Sequence, residues 1–176
     1  TQFNAIPATS KALMKILGLI GVDVTDFDFS EFISLKSLAF QDTRKSLTAD
    51  QFNSIGLKTY ISNLELTCAN AAGFDFSGFT GLKSLILLSV LDLTANQFNA
   101  IPQKAKAFIE RLELIDVNVS DFIFSEFCNL KSLSFHLSKG LTAAQFNAIP
   151  EEVKASIETL DLSYVNIRGF DFSGYT

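Results

Sequence analysis

The chain has 176 residues, 48% hydrophobic and 19% charged, a composition that builds a core and excludes a disordered linker. With 14 basic against 19 acidic side chains its net charge is -5, so it carries no basic footprint for nucleic acid. Its 18 phenylalanines, beside 3 tyrosines and no tryptophan, are the anomaly that has to be placed.

The chain opens on TQFNAIP, and the Gln-Phe-Asn within it returns at Gln51, Gln97 and Gln145, at spacings of 49, 46 and 48. Next come Met14, Leu17 and Leu19, the apolar-x-x-Leu-x-apolar pattern of a short strand with one buried face. FDFS follows at Phe27 and recurs at Phe74 and Phe170, with FIFS at Phe122. LKSL begins at Leu35, Leu82 and Leu130. Three unrelated strings keep one order throughout, so the chain is a repeat with a period of about 47 to 48 residues.

Each period divides in two. Short units of 21 residues start at Met14, Ile61, Ile109 and Ile157, and long units of 26 or 27 start at Leu35, Leu82 and Leu130. Every unit opens on the strand pattern, which predicts seven strands. In the long units Thr48, Thr94 and Thr142 stand three residues before Gln51, Gln97 and Gln145, a capping box that starts a helix. Pro102 and Pro150 then predict a break and a second short turn, while Gly56 takes that place in a shortened second copy. In the short units FDFSGF is too brief for a helix, with Ser77 expected to cap one turn and Phe74, Phe76 and Phe79 to point inward.

A strand of pattern L-x-x-L-x-L repeated every 20 to 29 residues, with a helical or irregular return, resembles a leucine-rich repeat along essentially the whole chain. The alternation of short and long units is similar to that of ribonuclease-inhibitor-like members. The resemblance implies an α/β fold: a right-handed solenoid with a curved parallel sheet on the concave side and short helices or turns on the convex side. Residues 1–176 are then one repeat domain of about seven units, which must stack to bury their apolar faces. Where the family places Asn or Cys after the strand, this chain has Val22, Ala69, Val117 and Val165, with Asp23, Asn70, Asn118 and Asn166 one residue later. The turn after the strand is therefore expected to differ. Neither TQFNAIP nor GYT reads as a polar cap, so a fragment of a longer array, or ends covered by another chain, is expected.

Catalytic chemistry finds little support. The single histidine, His136, directly follows a buried strand position, and no nucleophile elbow, phosphate loop or metal-spaced Cys/His cluster appears. Asp28, Asp75 and Asp171 would make a metal ladder but for Ile123 in the third copy, so no cofactor or metal is expected. Cys68 and Cys128 read as free thiols, and Asn118-Val119-Ser120 is a glycosylation sequon that matters only for a secreted chain. No stretch reaches the roughly 20 apolar residues of a membrane span.

The resemblance points to the concave strand face as a surface for another protein. Ile86, Leu88 and Ile115 are expected to face outward there with His136 beside them, and Leu137 and Tyr164 to lie at the rim. Glu65, Glu113 and Asp161 would flank this cluster and favour a partner of basic character. Lys83, Glu110, Lys131 and Glu158, at the second position of each strand pattern, alternate in sign and are expected to form a cross-strand charge ladder that holds register. Asn4, Asn53, Asn99 and Asn147 are expected to bond backbone between adjacent helices. The expected function is non-catalytic protein binding, with two rivals: a self-assembling element that stacks end to end, or the recognition arm of a larger enzyme or membrane protein. The phenylalanines fall into register: eleven in FDFSxF positions, four in Gln-Phe-Asn and two ending strands, with Phe108 alone outside these sets, so they belong to the core.

Overall fold

A computed structural model describes residues 3–43 and 46–175; Gln2, first of the glutamine series, lies outside them, as does Thr176. Seven strands form one parallel sheet in chain order: β1 (Ile16–Ile20), β2 (Ser37–Gln41), β3 (Asn63–Thr67), β4 (Ser84–Leu88), β5 (Arg111–Ile115), β6 (Ser132–Ser134) and β7 (Thr159–Asp161). All seven expected strands are present. Their register aligns Leu17, Leu38, Leu64, Leu85, Leu112, Leu133 and Leu160 in one row. Two residues on, Leu19, Phe40, Leu66, Leu87 and Leu114 make a second row. Both rows face the core, because strand side chains alternate and only this face is covered by the returning chain. A one-residue slip would turn every leucine outward, and that locks the register.

Each strand is followed, directly in β1 to β5 and three residues on in β6 and β7, by a residue in the left-handed region: Gly21, Asp42, Cys68, Ser89, Asp116, Leu137 and Tyr164, with φ of 61, 58, 51, 49, 50, 57 and 62°. In the first six the N–H group still donates to the next rung, for example Asp42 to the Thr67 carbonyl and Asp116 to that of His136. The reversal turns Ala69 and Val117 into the core, where they are buried. Asp23, Asn70, Asn118 and Asn166 then accept from the N–H two residues on, at Thr25, Ala72, Ser120 and Arg168.

The covering layer consists of short helices: α1 (Ala8–Leu13), α2 (Ala49–Asn53), α3 (Ala95–Asn99), α4 (Gln103–Lys106), α5 (Ala143–Asn147) and α6 (Glu151–Lys154). Thr48, Thr94 and Thr142 cap α2, α3 and α5 with complete capping boxes. Pro102 and Pro150 open α4 and α6, whereas the Gly56 copy has only a 3-10 turn over Lys58–Tyr60. Ser77 caps nothing; its N–H donates to the Asp75 carboxylate, which shapes the FDFS turn from in front.

Gln-Phe-Asn staples each helix in two directions. The glutamine reaches back: Gln97 Nε2 donates to the carbonyls of Ala71 and Phe74, and Gln145 Nε2 to those of Val119 and Phe122. The asparagine reaches forward: Asn53 accepts from the Asp75 N–H and donates to the Gly73 carbonyl. Asn4, Asn99 and Asn147 repeat both bonds. The asparagines therefore join helix to the loop of the next short unit, not helix to helix, because FDFS supplies the nearest unpaired backbone groups. Between them Phe3, Phe52, Phe98 and Phe146 stack on Phe27, Phe74, Phe122 and Phe170 at 3.9, 4.1, 4.1 and 4.4 Å, whereas Phe108 and Phe172, expected in the core, are 54% and 41% exposed.

A second series escapes sequence inspection. Lys11, Lys58, Lys106 and Lys154, spaced by 47, 48 and 48, are all buried. Lys11 pairs with Glu31 at 2.9 Å and Lys106 with Glu126 at 2.7 Å, while Lys154 pairs with Glu151 at 2.8 Å. Gly78 stands where those two copies carry Glu31 and Glu126, and the Lys58 stem lies against it. Lys58 donates instead to the Asp75 carbonyl and lies over the rings of Phe52 and Phe79; burial pushes its ammonium below the ordinary lysine range, and the Asp75 charge opposes this.

Candidate functional site

The outer face of the sheet has no covering layer, and its side chains fall into three rows set by the register. The first holds Ile16, Ser37, Asn63, Ser84, Arg111, Ser132 and Thr159. The second holds Gly18, Ala39, Glu65, Ile86, Glu113, Ser134 and Asp161. The third runs Ile20, Gln41, Thr67, Leu88 and Ile115. Backbone bonds from Asp116 to the His136 carbonyl and from Leu137 to that of Ser163 extend it, so His136 stands beside Ile115.

Ile86, Leu88 and Ile115 are half-buried by their row neighbours, with Leu88 and Ile115 directly paired across β4 and β5. Leu137 and Tyr164, 43% and 82% exposed, stand at the left-handed strand ends. That conformation keeps them out of the core, where alternation alone would have sent them. The His136 ring meets the Tyr164 ring edge-on at 5.5 Å, and its Nδ1 lies 3.7 Å from Asp161 Oδ2, too far for a hydrogen bond. Together these residues make an apolar and aromatic strip from β4 to β7.

The flanking acids are partly engaged. Glu113 is bound by Arg111 at 2.7 Å, and Glu65 accepts from the Thr67 hydroxyl at 3.3 Å. Hydrogen bonds from Ser163 hold the Asp161 carboxyl below the usual range, with His136 adding a smaller share. The charge ladder takes a different form from the one expected. Lys83, Glu110, Lys131 and Glu158 immediately precede β4 to β7, and among the described residues no ion pair joins them. What links them is backbone, the Glu110, Lys131 and Glu158 N–H groups donating to the carbonyls of Lys83, Glu110 and Lys131.

No family model, curated protein or solved structure matches this chain.

Other chemistry is sparse on the face. Among the described residues no three His, Cys, Asp or Glu side chains converge to hold a metal. The Asp28, Asp75 and Asp171 carboxylates accept from the N–H groups of Ser30, Ser77 and Ser173, and the serine backbone and hydroxyl bonds together, the hydroxyl foremost at Asp75, hold them below the usual carboxylate range. Ser134 Oγ accepts from the backbone N–H of His136, and among the described residues no hydrogen bond joins the imidazole to a hydroxyl or thiol. The base-to-nucleophile contact of covalent catalysis is therefore not formed between them. Cys68 and Cys128 are free thiols. Among the described residues no helix is long and apolar enough to cross a membrane.

Sequence inspection missed the residues just before β1 and β2, Lys15 and Lys36. With Ser34 and Tyr60 they line an open cavity of about 290 Å³, and Lys36 Nζ lies 4.7 Å over the Tyr60 ring. The signal was available: they occupy the positions equivalent to Lys83 and Lys131 in the first two strand patterns.

Proposed function

We propose that this chain is a leucine-rich-repeat-like solenoid that binds another protein, without catalysis, through the open and concave face of its sheet. The observation that carries the reading is the apolar strip of Ile86, Leu88 and Ile115, contiguous in register on an uncovered face and continued by His136, Leu137 and Tyr164. A half-buried apolar cluster that continues into the exposed Leu137 and Tyr164 and is rimmed by polar groups suits an interaction surface, and tyrosine beside aliphatic residues suits its centre. Binding would bury this strip, with Glu65, Glu113 and Asp161 orienting a partner that offers basic groups.

Selection of peptides from a random display library against the whole chain tests the reading. Selected peptides should lose binding when Leu88→Asp and Ile115→Asp are introduced together, with the circular dichroism unchanged. Equal binding to that folded variant would place the interaction elsewhere. End-to-end association is a second reading, favoured by the exposed Leu13, Ile16 and Ile20 beside and on the β1 edge. Sedimentation that shows a monomer at every concentration would rule it out.

A further inference from the structure

We infer that the N-terminal rim of the sheet over β1 to β4 is a second binding strip, which takes the carboxylates of an acidic segment of a protein partner. The residues just before the strands form a row of their own, joined by backbone bonds from Lys36 to Lys15 at 2.7 Å, from Ser62 to Lys36 at 2.9 Å and from Lys83 to Ser62 at 2.8 Å. Neighbouring rungs are thus about 4.8 Å apart. In the second half of this row, Glu110 separates Lys83 from Lys131 and Glu158 follows, so opposite signs sit side by side. In the first half no acid intervenes, and the positions read Lys, Lys, Ser, Lys.

The four buried lysines among the described residues are given partners. Lys11, Lys106 and Lys154 are paired with glutamates, and Lys58 with a carbonyl. Among the described residues no carboxylate lies within 4.0 Å of Lys15, Lys36 or Lys83. Lys15 and Lys36 line the cavity together with Ser34 and Tyr60, so a carboxylate there would find cationic and hydroxyl side chains within one site. In a chain of net charge -5 this is a local inversion of sign.

The opposite rim decides what kind of anion fits. The left-handed positions after β2 and β5 are Asp42 and Asp116, and Asp92 lies near the end of β4. The strands between the two rims span only about 17 Å. Among the described residues, a continuous polyanion laid across the face would meet lysines at one rim and these aspartates at the other. A peptide carries both signs, acidic where it crosses Lys15 and Lys36 and basic beyond. Electrostatic complementarity of this kind fixes orientation more than affinity.

This inference rests on the protein-binding reading, and the experiment separates the two. Fluorescence anisotropy of a labelled hexaglutamate peptide, with hexaserine and oligothymidine as comparisons, is measured at low ionic strength. Hexaglutamate should bind, weaken with added salt, and lose about tenfold in affinity to Lys15→Glu with Lys36→Glu. The same peptide should bind Leu88→Asp with Ile115→Asp as well as it binds the unaltered chain, whatever becomes of the apolar strip. Lys15→Met with Lys36→Met gives the same readout without charge reversal should the first pair fail to fold. Hexaglutamate binding no better than hexaserine, or indifferent to the lysine variants, would overturn the strip. Oligothymidine binding as tightly as hexaglutamate would overturn its assignment to a protein.

Discussion

The inner and outer faces of the sheet are built from alternate residues of the same strands, yet they follow opposite rules. Inward, every strand repeats itself: the first row is leucine in all seven, and the second is leucine or phenylalanine. Outward, one row reads Gly18, Ala39, Glu65, Ile86, Glu113, Ser134 and Asp161, with hardly a residue type repeated. Folding makes the same demand at every unit, because each must bury one face against its neighbours and satisfy the same loop carbonyls. Positions on which folding makes no demand are free to differ, and individual chemistry accumulates there. The difference locates the stability of the molecule on one side and its candidate activity on the other.

The sharpest way to break the inner side is Phe98→Ala. Its ring stacks on Phe122 at 4.1 Å and is fully buried, so truncation should cost about 3–5 kcal/mol by removing buried surface and leaving a cavity. Chemical denaturation would show this as a fall in midpoint. A smaller loss, about 1–2 kcal/mol, is expected for Asn99→Ala, which leaves the Ile123 N–H and Asp121 carbonyl without their partner. The exposed Asn96, on the same helix, should tolerate alanine within about 0.5 kcal/mol.

One further effect has the opposite sign. Tyr175 stands where the other copies carry Phe32, Phe79 and Phe127, and among the described residues its buried hydroxyl has no hydrogen-bond partner. Tyr175→Phe should therefore stabilise the fold by about 1 kcal/mol. Burial, with the Glu151 charge adding to it, pushes the Tyr175 phenol up to about 12. Above pH 10 the unfolded chain releases this proton while the folded chain keeps it, so stability is lost as pH rises from about 10 to 12. That part of the alkaline loss should be absent from Tyr175→Phe in a pH series of melting curves.

The elements most legible in the sequence are those where one pattern has one physical meaning. The apolar-x-x-Leu-x-apolar spacing located all seven strands, because alternation admits only one buried face. Thr-x-x-Gln located α2, α3 and α5, since the capping box is local to four residues. The directions of the Gln-Phe-Asn staples were not legible, because they depend on which loop backbone is left unpaired once the units stack. Lys11, Lys58, Lys106 and Lys154 were overlooked for a related reason: lysine reads as solvated until its surroundings are placed against it, Glu31 and Glu126 on the next unit for Lys11 and Lys106 and the Asp75 carbonyl for Lys58. The outward side chains could be assigned from parity alone. Leu137 and Tyr164 needed the left-handed strand ends, a backbone feature that only Gly21 among the seven advertises by residue type.

Two double variants of neighbouring residues test the division between faces most directly. Leu87→Thr with Leu114→Thr alters the inner face of β4 and β5, and Leu88→Thr with Ile115→Thr alters the outer face one residue away. Threonine suits strands, so burial is the principal variable. Equilibrium denaturation of both should show the inner pair losing several kcal/mol or failing to fold, with the outer pair within about 1 kcal/mol of the unaltered chain. Equal losses from the two pairs would mean that the outer strip is part of the core, and would contradict its assignment as a surface kept for binding.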